Sequence, residues 1–173
     1  MGSEMCIRDR ISCLGYIIDQ GVIKKDPKKV AAIINVAAPK DVTQLRHLMG
    51  LVTHYSRFIP NLSDHTAPLR KLLCKDAHWI WSPKCEKAFQ WLKTELASDR
   101  VVVPYDPNLP LVLACDAGPN GIGAVLSNVV DDVEHPIAYV SRSLTKAEQM
   151  YSQLDKEALA IVFAVHKLSL IHI

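Results

Sequence analysis

Residues 111–126 read Leu-Val-Leu-Ala-Cys-Asp-Ala-Gly-Pro-Asn-Gly-Ile-Gly-Ala-Val-Leu. The apolar run Leu111–Cys115 ends on one carboxylate, Asp116. The turn Ala117–Gly121 then leads straight into a second apolar run, Ile122–Leu126. Two β-rich runs around Gly, Pro and Asn predict a hairpin. A polar stretch, Asp131-Asp132-Val133-Glu134, separates it from a third run. Strands at 111–116, 122–129 and 136–142 therefore make an antiparallel meander. Ser152 and Asp155 have capping-box spacing for a helix over 153–167, with Leu154, Ala158, Ile161, Val162, Val165 and Leu168 as its apolar face. Glu157, forty-one positions after Asp116, lies beside Leu154, Ala158 and Ile161 on the helix wheel and is expected to turn partly toward the sheet.

Upstream the periodicity is helical. Pro104, Pro107 and Pro110 mark a stiff linker. Before it, Ser82-Pro83 caps a helix whose buried face is Cys85, Ala88, Phe89, Leu92 and Leu96. A helix over 63–74 carries Pro68 near its start. Asp41 and Gln44 begin the strongest helix, 41–59, with Val42, Leu45, Leu48, Met49, Val52, Tyr55 and Ile59 at steps of three and four until Pro60. Asp26-Pro27 starts a short helix, about 27–35. Residues 11–23 read as one hairpin around Asp19-Gln20-Gly21.

Composition limits the classes available. At 173 residues, 49% hydrophobic and 22% charged, the chain is long enough for one or two small domains. No apolar run nears the ~18–20 residues of a membrane helix, and no apolar h-region marks a secretory signal. Cys6, Cys13, Cys74, Cys85 and Cys115 are odd in number and form no CxxC pair, so free thiols in a reducing, intracellular setting are expected. Residues 24–76 hold ten Lys/Arg and four Asp/Glu, and the rest hold ten and fourteen. This asymmetry suggests an anionic partner for the first half, although solvated lysines explain it equally well. Met1–Arg10 and the last residues, Leu168–Ile173, bear no relation to the periodic segments they flank. Residues 1–10 and 169–173 are expected to be a non-native, adapter-like leader and tail.

Two carboxylates, one on a strand end and one on a helix, are the start of a site for hard divalent ions. Spacing alone equally allows a turn-closing Asp116 and a solvated Glu157. On the helix at 41–59, Arg46, Gly50 and His54 share one face, flanked by His47 and Arg57. A mid-helix Gly costs roughly 1 kcal/mol against Ala and permits close backbone approach. Phosphate contacts from Lys24, Lys25, Lys28, Lys29 and Lys40 would be salt-sensitive and blind to sequence. A basic solvent face with an incidental Gly is the alternative. His47 and His54 have no metal-ligand spacing, and Trp79, Trp81 and Trp91 read as packing residues.

Leu111–Leu126, His135–Arg142 (His-Pro-Ile-Ala-Tyr-Val-Ser-Arg) and Lys156–Ala160 (Lys-Glu-Ala-Leu-Ala) together resemble the ribonuclease H domain of gypsy-type LTR-retrotransposon Pol polyproteins. Leu14-Gly15-Tyr16, Leu45–Gly50, Tyr55–Pro60 and Ala67-Pro68-Leu69 resemble the segment between polymerase palm and ribonuclease H in the same polyproteins. The resemblance spans about residues 12–167. It implies an α+β fold, a helical thumb and connection followed by a truncated ribonuclease H-like β-β-β-α unit. Residues 11–26 would end the palm, 27–100 form thumb and connection, and 101–168 form the partial nuclease domain.

The resemblance makes Asp116 and Glu157 catalytic ligands of Mg²⁺ or Mn²⁺ in the parent, with tight binding not expected of this chain. It makes Leu14, Gly15 and Tyr16 a primer-grip-like hairpin, and the Arg46/Gly50/His54 face a tracker of the duplex minor groove. The implied partners are an RNA–DNA hybrid or DNA duplex and the rest of the polyprotein, with no membrane and no small-molecule substrate. The parent would work in a cytoplasmic virus-like particle or the nucleus. Two departures stand out. The usual Asp-Ala-Ser is Asp116-Ala117-Gly118 here. The third ligand, in a later Thr-Asp-His motif, and the paired aspartates of the palm do not occur, so whether the chain is itself an enzyme stays open. A non-catalytic, domesticated nucleic-acid-binding module is the alternative. A nucleotide-binding fold of the actin or sugar-kinase type is disfavoured, because Asn120–Gly123 is a poor phosphate loop.

Overall fold

The computed structural model describes residues 10–75 and 77–169. The expected adapter-like ends lie outside the described residues, apart from Arg10, in the first strand, and Ser169, the last residue of the final helix.

The first sheet has the order β1 (Arg10–Cys13), β2 (Tyr16–Asp19), β3 (Val22–Lys25), all antiparallel. The run expected as a single strand from Ile11 to Ile18 breaks at Leu14-Gly15. Both residues are left-handed, at φ 50° and 83°, which suits a two-residue hairpin turn. Gln20-Gly21 repeats the device at φ 49° and 77°.

The helices are α1 (Pro27–Ile34), α2 (Val42–His54), α3 (Leu62–His65), α4 (Ala67–Lys71) and α5 (Pro83–Ala97). Their starts follow the sequence signals. Asp26 accepts from the Lys28 amide, Asp41 from the Gln44 amide at 2.7 Å, and Ser82 from the Cys85 amide. Gln44 Oε1 in turn accepts from the amide of Lys40, one residue before the cap. Two boundaries differ from expectation. α2 stops at His54, and its stripe is carried on by a 3₁₀ turn, Ser56–Phe58, so Tyr55 and Ile59 are still buried. The helix expected over 63–74 is two short ones hinged at Thr66, because Pro68 has no N–H to continue the ladder from Asp64. Val30, Leu45, Val52, Phe58, Leu69, Phe89 and Leu92 are among the residues that form the helical core.

The second sheet is β4 (Leu111–Ala117), β5 (Gly121–Val130) and β6 (Val133–Ser143), in that order and antiparallel. Asp116 lies opposite Gly123, and Ala117 opposite Ile122. The second turn is only Asp131-Asp132, both at positive φ, so Val133 and Glu134 belong to β6. Helix α6 (Gln153–Ser169) covers one face. Its Ala164 and Leu168 meet Ala124, Leu126 and Ala138, and Ala160 meets Ala117 and Ile122. The other face carries Tyr139, packed on the helical core, and Ser141, bonded to α3. The linker at 101–110 is stitched in. Val102 exchanges two backbone bonds with Ile23, and the buried Asn128 amide pairs with the backbone of Asp106.

The face of α6 corrects an expectation. Leu154, Ile161, Val162 and Val165 are 53–76% exposed, and of the expected stripe only Leu168 is buried. Alanines at 160 and 164 let the helix axis approach the sheet, so packing selected the small-residue face over the larger apolar one.

Candidate functional site

Asp116 is the penultimate residue of β4 and is exposed. Its neighbours Cys115 and Ala117 pack toward α6, so strand alternation turns its carboxylate to the opposite face. There it meets Asn61, whose Nδ2 donates to Asp116 Oδ2 at 2.6 Å. Asn61 caps α3 in the left-handed region, at φ 49°. Gly123, across the ladder from Asp116, makes room for it. A Cβ at 123 would overlap Asn61 Oδ1.

Glu157 stands in the second turn of α6. Gln153, one turn earlier, donates from Nε2 to Ala117 O at 3.0 Å and to Glu157 Oε1 at 3.2 Å. One amide thus ties Glu157 to the residue that follows Asp116. Each carboxylate keeps one oxygen outside these bonds.

The glycines of this hairpin are spacers rather than φ devices, since among the described glycines only Gly15 and Gly21 have positive φ. A Cβ on Gly118 would lie 2.8 Å from the Asp64 carboxylate, and one on Gly121 would lie 2.9 Å from the Asp64 amide nitrogen. Asp64 Oδ1 accepts from the Asn120 amide at 2.8 Å. The Ser63 amide donates to Ser141 Oγ at 3.1 Å. Asn61, Ser63, Asp64 and Gln153 escaped the sequence reading. The first three meet partners 55, 78 and 56 positions away, a separation with no local signal.

Hard carboxylate oxygens held by amide donors suit a Mg²⁺-type ion that retains part of its water shell. Among the described residues no three His, Cys, Asp or Glu side chains cluster as a metal site. The Asp116 carboxylate faces α3 and Glu157 is exposed on α6, so these two carboxylates do not by themselves make such a cluster.

The nucleic-acid candidates divide. Arg46, His47 and Gly50 are exposed on α2, and a Cβ on Gly50 would meet nothing within 4 Å. His54 is engaged. Its Nε2 donates to Leu14 O at 2.8 Å, its carbonyl accepts from Tyr16 Oη at 2.5 Å, and the two rings stack at 4.7 Å. Tyr55 Oη donates to Gly15 O at 3.3 Å. The Leu14-Gly15-Tyr16 turn and the end of α2, read separately in the sequence, thus form one surface. Arg57 is half-buried, and its charge acts on the Tyr16 phenol, whose pKa is raised chiefly by burial. Lys24 pairs with Asp19 at 2.9 Å. Lys25 departs from expectation. Only 9% exposed, it donates to Glu95 O and Ser98 Oγ. Burial pushes its pKa down, with Arg100 adding to the effect. It faces the interior and cannot reach a phosphate from there.

Trp79, Trp81 and Trp91 pack on the helical core, Trp91 stacking with His65. Cys13, Cys74, Cys85 and Cys115 are free thiols. Among the described residues no helix is long and apolar enough to cross a membrane.

Comparison with known proteins agrees with this architecture. The family described as "RNase H-like domain found in reverse transcriptase" matches residues 81–171. The Transposon Tf2-3 and Tf2-4 polyproteins of Schizosaccharomyces pombe are each 33% identical over 156 residues, covering 90% of this chain and 12% of the polyprotein. The chain thus spans about an eighth of the length of these relatives. Two structures share the fold. A foamy viral protease-reverse transcriptase in complex with an RNA/DNA hybrid gives a TM-score of 0.79 at 24% identity, covering 93% of this chain and 22% of that one. The same protein type in complex with dsDNA gives 0.80 at 23%, covering 95% and 34%. The chain belongs to the family of RNase H-like domains found in reverse transcriptases, and is homologous to the reverse transcriptase/RNase H region of gypsy-type retrotransposon polyproteins.

Proposed function

We propose that the chain supplies the thumb side and the first half of the nuclease site of an enzyme that copies RNA into DNA and hydrolyses the RNA of the hybrid. The observation that carries this reading is the Asp116–Ala117–Gln153–Glu157 connection, which brings a strand-end carboxylate and a helical carboxylate to the same end of β4. Residues 11–26 would close the palm, 27–100 form thumb and connection, and 101–168 begin the nuclease domain.

Divalent metal ions serve this family, and Mg²⁺ or Mn²⁺ is the ion we assign to the parent. Asp116 and Glu157 would hold it through their unshared oxygens. When bound, such an ion activates water and stabilises a leaving oxygen. The chain's own contribution is to orient: Asn61 fixes one carboxylate and Gln153 the other. On the thumb side, Arg46, His47 and Gly50 would face a hybrid or DNA duplex, and the Leu14–Tyr16 turn would lie beside it. Attraction to phosphate makes that binding fall with salt. Neither a membrane nor a small-molecule substrate enters the reading, and the parent would act in a cytoplasmic particle or in the nucleus.

The test incubates the purified chain with a labelled RNA–DNA hybrid and Mg²⁺. Weak, salt-sensitive binding without turnover is expected; robust cleavage would show that the two carboxylates need no further ligands.

A further inference from the structure

Asn61 and Asp116 are 55 positions apart in sequence, on different structural units, and joined by one 2.6 Å hydrogen bond. We propose that Asn61 is a positioning residue for Asp116, so that the helical half of the chain sets the orientation of the first metal-ligand carboxylate of the nuclease half. The metal-ligand part of this statement rests on the function proposed above.

Three observations carry it. First, Asn61 is placed to act. It sits at φ 49°, a left-handed conformation that Asn tolerates better than most residues, and its amide lies over the bare backbone of Gly123, directly opposite Asp116. Second, the residues just after Asn61 are docked on the nuclease half by two bonds. Ser63 bonds Ser141 on β6, and Asp64 bonds the Asn120 amide in the turn beyond Asp116. The amide is thus delivered by a docked element rather than by a free loop. Third, the bond is selective. Its donor takes Oδ2 of Asp116 and leaves Oδ1 for a ligand. Donors of this kind restrict a ligating carboxylate to one orientation, and losing one typically costs about 10–100-fold in metal affinity.

The variant Asn61→Gly removes the amide while keeping the left-handed backbone, which Asn61→Ala would strain. The Ser63 and Asn120 amide shifts of the full chain report whether the segment remains docked. The first measurement uses no metal: scalar couplings across Cα–Cβ of Asp116. A single rotamer is expected in the unaltered chain and rotamer averaging in Asn61→Gly. Unchanged couplings in a docked Asn61→Gly chain would overturn the positioning role. The second titrates Mn²⁺ alone and follows paramagnetic broadening of the amides at 116–118. Asn61→Gly is expected to need about ten times more Mn²⁺, and Asp116→Asn to abolish the effect. Broadening untouched by Asp116→Asn would overturn the metal reading instead, leaving the rotamer result to judge Asn61. Loss in Asp116→Asn with none in Asn61→Gly would refute Asn61 alone.

Discussion

The Asp64 carboxylate stands where a side chain on residue 118 would stand: a Cβ there would lie 2.8 Å from its Cγ and Oδ2. The Asp-Ala-Ser of the gypsy pattern is Asp-Ala-Gly in this chain, and Asp64 fills the place a longer side chain at 118 would take. Gly118→Ser should therefore destabilise by about 1–3 kcal/mol, as overpacking does. Asp64→Ala should cost roughly 1 kcal/mol for the lost bond to Asn120. Combined, the two should cost clearly less than their sum, because one substitution vacates the volume the other fills. Urea denaturation of the four chains measures the coupling, and strict additivity would mean that Asp64 does not occupy this place.

Two glycines near α2 should respond in opposite directions. Gly15 has φ 83° and its Cβ would meet Tyr55 Oη at 2.9 Å. Gly15→Ala should cost at least about 1–2 kcal/mol from backbone handedness alone. Gly50 is helical with open space beyond it, so Gly50→Ala should stabilise by up to about 1 kcal/mol. If that face lies against a duplex, the added methyl should also weaken hybrid binding. Melting temperature and fluorescence anisotropy separate the two effects: a more stable chain with unchanged affinity would remove Gly50 from the interface.

The sequence made the starts of elements legible, because caps are local. Asp26, Asp41, Ser82 and Ser152 all cap as their spacing implied. It showed the three-stranded meander for the same reason, since turn composition and strand alternation lie within a few residues, but not the pairing register or the early start of β6 at Val133. What it concealed was choice between faces. Helix α6 has two apolar stripes, and burial took Ala160 and Ala164 because close approach rewards small side chains, which hydrophobic periodicity does not weigh. It also concealed contacts across the two halves. Nothing near Asn61 signals Asp116, and nothing near Lys25 signals the Glu95 carbonyl that draws its ammonium inward.

That inward turn gives a test of which cations meet nucleic acid. Lys25 is held by Glu95 O and Ser98 Oγ, whereas Arg46 is exposed and has a free path to solvent. Arg46→Ala should weaken hybrid binding and lower the slope of log affinity against log salt by about one. Lys25→Met should leave that slope unchanged while altering stability. Binding isotherms at several salt concentrations check both, and a reduced slope in Lys25→Met would mean that its ammonium swings out to the phosphates.

Arg142 and Glu148 tie the end of β6 to the segment that leads into α6. The guanidinium donates twice to the carboxylate, at 2.8 and 2.9 Å, and the Thr145 amide adds a third bond at 2.8 Å. The Arg142 bonds, chiefly, hold the Glu148 pKa down at about 2. A carboxyl whose folded pKa lies below its unfolded value contributes stability that is complete above the ordinary carboxylate range and is lost as pH falls toward that depressed value. The pair is accessible to solvent, so the contribution is discounted to about 1 kcal/mol rather than read from the shift itself. Arg142 also lies 5.5 Å from the Phe163 ring of α6, so weakening the pair should loosen the helix as well. Glu148→Gln should lower the melting temperature at neutral pH, and the difference from the unaltered chain should shrink as pH falls from about 4.5 to about 2. Thermal unfolding followed by circular dichroism across that range gives the comparison; a constant difference at every pH would assign the effect to packing instead of charge.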